Sequence, residues 1–101
     1  MKLERDIQKE VIKWLKANDI FYFKISERFS SGIPDLYILH NGISVWIELK
    51  TEKGVLSKLQ ALNLMEIQKH KGNALVCRSL DQVKYLLAGM YNIPQELIPG
   101  S

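Results

Sequence analysis

The stretch of sequence that decides the fold is residues 33–50, which run IPDLYILHNGISVWIELK. Two apolar runs, rich in β-branched and aromatic residues, flank the dipeptide Asn41-Gly42. Such a dipeptide between strand-forming runs favours a two-residue turn that joins antiparallel strands. The stretch therefore predicts a β-hairpin with strands over residues 35–40 and 43–50. Because side chains alternate along a strand, the turn also fixes which residues share a face.

The sequence on either side of this hairpin predicts further helices and strands. Apolar residues recur at helical spacing in three segments, which predicts helices over about residues 3–17, 56–70 and 79–90. Short runs of apolar, largely β-branched or aromatic residues predict strands over residues 20–25 and 73–78. Serine, glycine and proline in residues 26–34 predict a loop. The predicted order is αβββαβα, an α/β fold whose mixed central sheet is flanked by helices.

Length and composition are those of one small globular domain. The chain has 101 residues, of which 47% are hydrophobic and 25% charged, enough to bury one modest core. We expect a single domain over residues 1–101 with a peripheral tail after about residue 92. Its single cysteine excludes an intrachain disulfide and a cysteine-based zinc site. No apolar stretch approaches the ~20 residues that span a bilayer, so we expect an intracellular protein without a membrane partner.

The hairpin register brings two acidic residues together at its open end. With Asn41 and Gly42 in the turn, Asp35 faces Glu48 on the same side of the sheet. Like charges in such cross-strand pairs are destabilising, and a divalent cation such as Mg²⁺, which prefers carboxylate oxygens, would compensate them. Lys50 lies two residues beyond Glu48 and shares its face. An ammonium there can orient an attacking water or neutralise charge that develops on a phosphoryl group.

These residues resemble the PD-(D/E)XK nuclease superfamily and, more narrowly, the VRR-Nuc family. The motif itself comprises Pro34-Asp35 and Glu48-Leu49-Lys50. Supporting matches are residues 31–36, residues 46–51, residues 54–57 with Gln60, and the N-terminal Glu4-x-x-Ile7-Gln8. The resemblance spans about residues 4–80 with the family's order and spacing. It implies a restriction-endonuclease-like core, in agreement with the αβββαβα order.

The resemblance also implies the residues of a site. The metal ligands would be Asp35, Glu48 and the backbone carbonyl of Leu49, and they would bind Mg²⁺ or Mn²⁺. Lys50 would be the catalytic lysine, and Gln60 the glutamine of the helix that follows the motif. Glu4 would be the acid from the first helix. Glu10 remains an alternative for that acid, because it lies between Ile7 and Trp14 on the same helix face.

Basic and hydroxyl residues before and after the motif predict contacts to DNA phosphates. They are Lys24, Arg28, Ser30, Ser31, Lys53 and Lys58. We therefore predict a metal-dependent DNA endonuclease without an organic cofactor. The resemblance to phage-type family members and to Holliday-junction resolvases implies a homodimer that acts on branched DNA, in the cytoplasm of a bacterial host if phage-encoded. The alternative is a non-catalytic module that binds branched DNA on the same fold. A structural protein and a sequence-specific restriction nuclease rank lower.

Overall fold

The fold is described from a computed structural model, in which residues 2–25 and 32–93 are described. Its elements are α1 (Glu4–Ala17), β1 (Phe21–Lys24), β2 (Leu36–His40), β3 (Ile43–Leu49), α2 (Lys58–Lys69), β4 (Ala74–Cys77) and α3 (Leu80–Tyr91). This order confirms the predicted αβββαβα fold. No helix within the described ranges is long and apolar enough to cross a membrane.

The four strands form one mixed sheet in the order β1-β2-β3-β4. β2 pairs antiparallel with β1 and β3, whereas β3 and β4 run parallel and are joined by α2. Asn41 and Gly42 both have positive φ, at 51° and 78°, as the tight hairpin turn requires. The turn pairs His40 with Ile43 and, further along, Tyr37 with Trp46. The register predicted from the turn is confirmed.

The predicted strand ends differ from those of the structure at the open end of the hairpin. β2 begins at Leu36 rather than Asp35, and β3 ends at Leu49 rather than Lys50. The reason is that Asp35 bonds across the hairpin through its side chain. Its Oδ2 accepts the N–H of Leu49 at 2.7 Å, while its carbonyl accepts the N–H of Ile25 at 2.8 Å. The regular ladder therefore stops where the two predicted metal ligands begin.

The core lies on one face of the sheet, here called the core face. Alternation along β2 and β3 buries Leu36, Ile38, Val45, Ile47 and Leu49 on this face. α1 and α3 cover the core face with a stripe of buried apolar residues, which comprises Ile7, Val11, Trp14, Leu15, Val83 and Leu87. The opposite face, here called the open face, carries Tyr37, Trp46 and Glu48. α2 lies on that side, packs against β4, and contributes Leu64 to the interior.

Candidate metal centre

Three acidic side chains converge at the end of the sheet where β2 begins and β3 ends. Glu4, Asp35 and Glu48 each offer a carboxylate oxygen, and these oxygens lie within 4.8 Å of one another. Each acid comes from a different part of the fold. Glu4 is the first residue of α1 and lies one turn before the buried Ile7. Because the apolar face of α1 packs on the sheet, Glu4 lies at the end of the sheet beside the other two acids. The structure thus adds the acid of the first helix to the predicted cross-strand pair.

Glu48 is the most deeply buried member of this group. Its residue is only 1% exposed. Burial raises the pKa of Glu48 from 4.5 to about 8, and so do its hydrogen bond to Asp35 and the negative charges of Asp35 and Glu4, whereas Lys50 opposes the rise. In the metal-free protein, the Asp35–Glu48 pair therefore keeps a proton to a higher pH than an ordinary carboxylate does. A divalent cation bound between the carboxylates would offset their mutual repulsion and lower the pKa of Glu48, as expected for a metal ligand.

Lys50 enters the site from the end of β3. Its side chain is 10% exposed, and its Nζ lies 3.8 Å from Oε2 of Glu4. Its backbone N–H donates to the carbonyl of Cys77 at 3.1 Å, which fixes the start of the side chain against β4. The ammonium therefore lies beside the carboxylate group, where the sequence placed it.

Gln60 connects the start of α2 to Glu48. Ser57 caps the helix, since its Oγ accepts the N–H of Gln60 at 3.1 Å, while Oε1 of Gln60 accepts the N–H of Ser57 at 2.8 Å. Because this cap occupies the amide oxygen, the amide nitrogen points to the site, and Nε2 donates to Oε2 of Glu48 at 3.4 Å. Gln60 therefore contacts a candidate metal ligand directly.

A cavity of about 90 Å³ lies beside the carboxylates, lined by Glu4, Arg5, Gln8, Asp35 and Leu49. This space is large enough to admit a cation or water beside Glu4 and Asp35. Gln8 belongs to the N-terminal match Glu4-x-x-Ile7-Gln8, and its place one turn after Glu4 marks it as a neighbour of that acid. Nothing in the sequence marks Arg5.

The structure separates Glu10 from the cluster. Both of its carboxylate oxygens accept hydrogen bonds from Nζ of Lys2, at 2.7 and 2.6 Å. Of the two acids that the sequence offered on the first helix, Glu4 is the one that meets Asp35 and Glu48.

The predicted DNA-contacting residues fall into two sets. Lys24, Lys53 and Lys58 are exposed, at the end of β1, in the turn after Lys50 and at the start of α2. Lys24 pairs with Leu36, directly after Asp35, so it lies at the same end of the sheet as the carboxylates. The predicted contacts at Arg28, Ser30 and Ser31 lie outside the described residues.

The fold and the acidic cluster together define a nuclease-type domain. The sequence profile of the VRR-NUC domain matches residues 3–81, so the chain belongs to the VRR-NUC domain family. Members of that family carry a nuclease fold that acts on DNA and generally uses divalent metals.

Comparison of structures agrees with this assignment. A solved structure described as "VRR_NUC domain" has a TM-score of 0.72 at 28% identity, and the match covers 83% of this chain and 92% of that one. A second, a "VRR_NUC domain protein", has the same TM-score at 20% identity, covers 85% of each chain, and supports the fold alone. A search of curated proteins returned no significant match.

Proposed function

We propose that this protein is a Mg²⁺- or Mn²⁺-dependent endonuclease that hydrolyses DNA phosphodiester bonds. The observation that carries the proposal is the convergence of three carboxylates within 4.8 Å around the buried Glu48. When bound there, the metal would polarise the scissile phosphate and lower the pKa of a coordinated water. Asp35, Glu48 and the backbone carbonyl of Leu49 are the proposed ligands.

The remaining site residues are proposed to orient these ligands and to balance charge. Gln60 holds one oxygen of Glu48, and the N–H of Leu49 holds one oxygen of Asp35, so each ligand is fixed by a second group. The ammonium of Lys50 is positioned to orient the attacking water or to neutralise charge on the phosphate. Glu4, at 3.8 Å from that ammonium, restrains it and completes the acidic set.

We infer that the substrate is bound through its phosphates at the same end of the sheet. The proposed contacts are Lys24, Arg28, Ser30, Ser31, Lys53 and Lys58. Phosphate contacts from basic side chains supply affinity and register without reading base sequence. This kind of surface suits an enzyme that selects the shape of its DNA, and branched DNA such as a Holliday junction is the substrate we propose. The phage-type origin, and with it action in the cytoplasm of a bacterial host, stays a prediction.

The edge of the sheet supports the proposed homodimer. β1 is an edge strand, and its Phe21 and Phe23 are 52% and 57% exposed on the open face. Exposed apolar side chains on an edge strand favour pairing with another chain. Antiparallel pairing of two β1 strands places the two-fold axis perpendicular to the sheet, so both metal centres lie on the same side. One symmetric, branched DNA can then reach both.

The decisive experiment is a cleavage panel with four-way junction, flap and linear duplex DNA in the presence of Mg²⁺. We expect the wild-type protein to cleave the junction and Asp35→Asn to lose this activity. The matched control is Asp81→Asn, an exposed acid in the first turn of α3, which should cleave as the wild type does. Equal cleavage by Asp35→Asn would refute the assigned role. Tight junction binding without cleavage under any divalent metal would instead establish the non-catalytic DNA-binding module.

A further inference from the structure

Arg78 is a basic residue outside the metal centre that gathers the backbone of the turn following Lys50. It lies between β4 and α3, and its Nη1 donates to the carbonyl oxygens of Thr51 at 2.7 Å, Glu52 at 3.3 Å and Gly54 at 2.7 Å. Hydrogen bonds from a charged donor are among the stronger ones in proteins. One guanidinium nitrogen therefore ties together three carbonyls of a turn that belongs to neither β3 nor α2.

The base of the Arg78 side chain is itself held in place. The backbone N–H of Arg78 donates to Oε1 of Gln82 at 2.6 Å, and the N–H of Gln82 donates to Oγ of Ser79 at 3.1 Å. The preceding residue, Cys77, accepts the backbone N–H of Lys50 at 3.1 Å. The arginine thus reaches the turn from a rigid junction that is also bonded to the start of the turn.

The turn of residues 51–54 lies along the side chain of Lys50. A Cβ built on Gly54 would lie 3.4 Å from Cδ of Lys50 and 3.0 Å from Oγ1 of Thr51, so the stem of Lys50 passes beside Gly54 within reach of one added methyl group. The N–H of Gly54 donates to the carbonyl of Thr51 at 3.1 Å and closes the turn. Lys50 has a flexible four-carbon stem, and the neighbouring turn restricts the positions that its ammonium can occupy.

We propose that Arg78 is a positioning residue for Lys50. By holding the 51–54 turn against the stem of Lys50, it keeps the ammonium beside the carboxylate group, 3.8 Å from Glu4. Arg78 touches no reacting atom in this role. The catalytic part of the inference rests on the proposed nuclease function, in which Lys50 acts at the phosphate. The contrasting role for an arginine in a DNA-binding protein is direct contact with a phosphate.

Steady-state kinetics of junction cleavage separate these two roles. We expect Arg78→Ala to lower kcat by about 10–100-fold, as is usual when a residue that orients an active group is removed, with KM for DNA unchanged. Arg78→Lys should recover most of the loss, because an ammonium offers three donors to the three carbonyls. Millimolar guanidinium should partly restore Arg78→Ala. Lys84→Ala, which removes a cation from α3, is the control and should behave as the wild type.

The opposite kinetic result would overturn the proposal. A higher KM with unchanged kcat, together with a weaker dependence of binding on salt, would identify Arg78 as a phosphate contact. Gly54→Ala is a second variant that keeps the arginine but strains the turn, because the added Cβ would lie 3.0 Å from Oγ1 of Thr51 and in contact with the stem of Lys50. It should lower kcat with little change in KM, and full activity of this variant would also contradict the proposal.

Amide hydrogen exchange tests the same contact without any cleavage assay. In Arg78→Ala, we expect faster exchange in residues 51–54 and unchanged protection in α2, since only the turn loses its anchor. Unchanged exchange in residues 51–54 would overturn the proposed clamp whether or not the protein is a nuclease. If the turn exchanges faster but wild-type protein cleaves no DNA, the proposed function fails while the anchoring of the 51–54 turn by Arg78 stands.

Discussion

The raised pKa of Glu48 makes the stability of the metal-free protein depend on pH. Burial, followed by the hydrogen bond and charge of Asp35, raises this pKa from 4.5 to about 8. The folded protein therefore binds this proton more tightly than the unfolded chain does. The resulting stability is fully present below the ordinary pKa and is lost as the pH rises through about 8. We predict that metal-free protein becomes less stable on going from acidic to mildly alkaline solution.

The size of the effect follows from the interval between the two pKa values. At roughly 1.4 kcal/mol per pH unit, the rise from 4.5 to about 8 corresponds to a total loss of about 5 kcal/mol, of which about 4 kcal/mol is lost by pH 8, where Glu48 is half ionised. That is a large share of the roughly 5–15 kcal/mol that stabilises a small domain. Glu48→Gln keeps the shape of the protonated acid without its charge. This variant should come within about 1 kcal/mol of the wild type near pH 5 and exceed its stability by about 4 kcal/mol near pH 8.

Urea unfolding with and without metal measures this directly. The free energy of unfolding would be determined in a chelator at about pH 5, 6.5 and 8, and then with millimolar Mg²⁺. Mg²⁺ should restore wild-type stability at the alkaline end, because a ligand that binds only the folded state stabilises it. Glu52→Gln, an exposed acid of the turn after Lys50, is the control and should decline as the wild type does. A pH-independent wild type, or an equal decline in Glu48→Gln, would refute the reasoning.

Three further predictions address the supports of the site. Gln60→Leu removes the amide that holds Glu48 and should weaken Mn²⁺ binding by about 10–100-fold in calorimetry, whereas Gln68→Leu on the same helix should not; equal affinities would contradict this. Ser57→Ala removes the cap of α2 and should cost about 1 kcal/mol in urea unfolding, and a change of only a few tenths would show that the cap is dispensable. Phe23→Asp places a charge on the exposed edge strand and should convert a dimer to a monomer in sedimentation; a monomeric wild type would reject the proposed interface.

The hairpin was predictable from the sequence because its geometry is set by local rules. Asn41 and Gly42 accept positive φ, the turn length then fixes the register, and the register places Asp35 opposite Glu48. The cap of α2 is equally local, because Ser57 and Gln60 lie three residues apart, the spacing of a capping box. Each of these inferences needs only neighbours in the chain, which is why the structure agrees with them.

The residues that sequence analysis left open depend on how distant elements meet. Glu4 and Glu10 both lie beside the apolar residues of α1, so the helical pattern alone does not say which acid enters the site. Glu4 enters it because the first turn of α1 lies at the end of the sheet where β2 begins and β3 ends, whereas Glu10 pairs with Lys2. Arg78 acquires its role because β4 ends beside the turn after β3. The contact of Gln60 with Glu48 depends on how α2 crosses the open face. Periodicity does not encode these placements, so no local pattern could have supplied them.

The proline of the motif gives a physical reason for the metal centre to lie where the ladder ends. The hairpin register places the buried Pro34 opposite Leu49, at a position where paired strands exchange both backbone hydrogen bonds. Pro34 has no N–H to give to the carbonyl of Leu49, and the N–H of Leu49 is bonded instead to Oδ2 of Asp35. Pro34 thus ends the ladder, and the N–H of Leu49 is left to orient the carboxylate of Asp35. The absence of a backbone N–H at Pro34 therefore accounts for both the end of the sheet and the position of the proposed metal site.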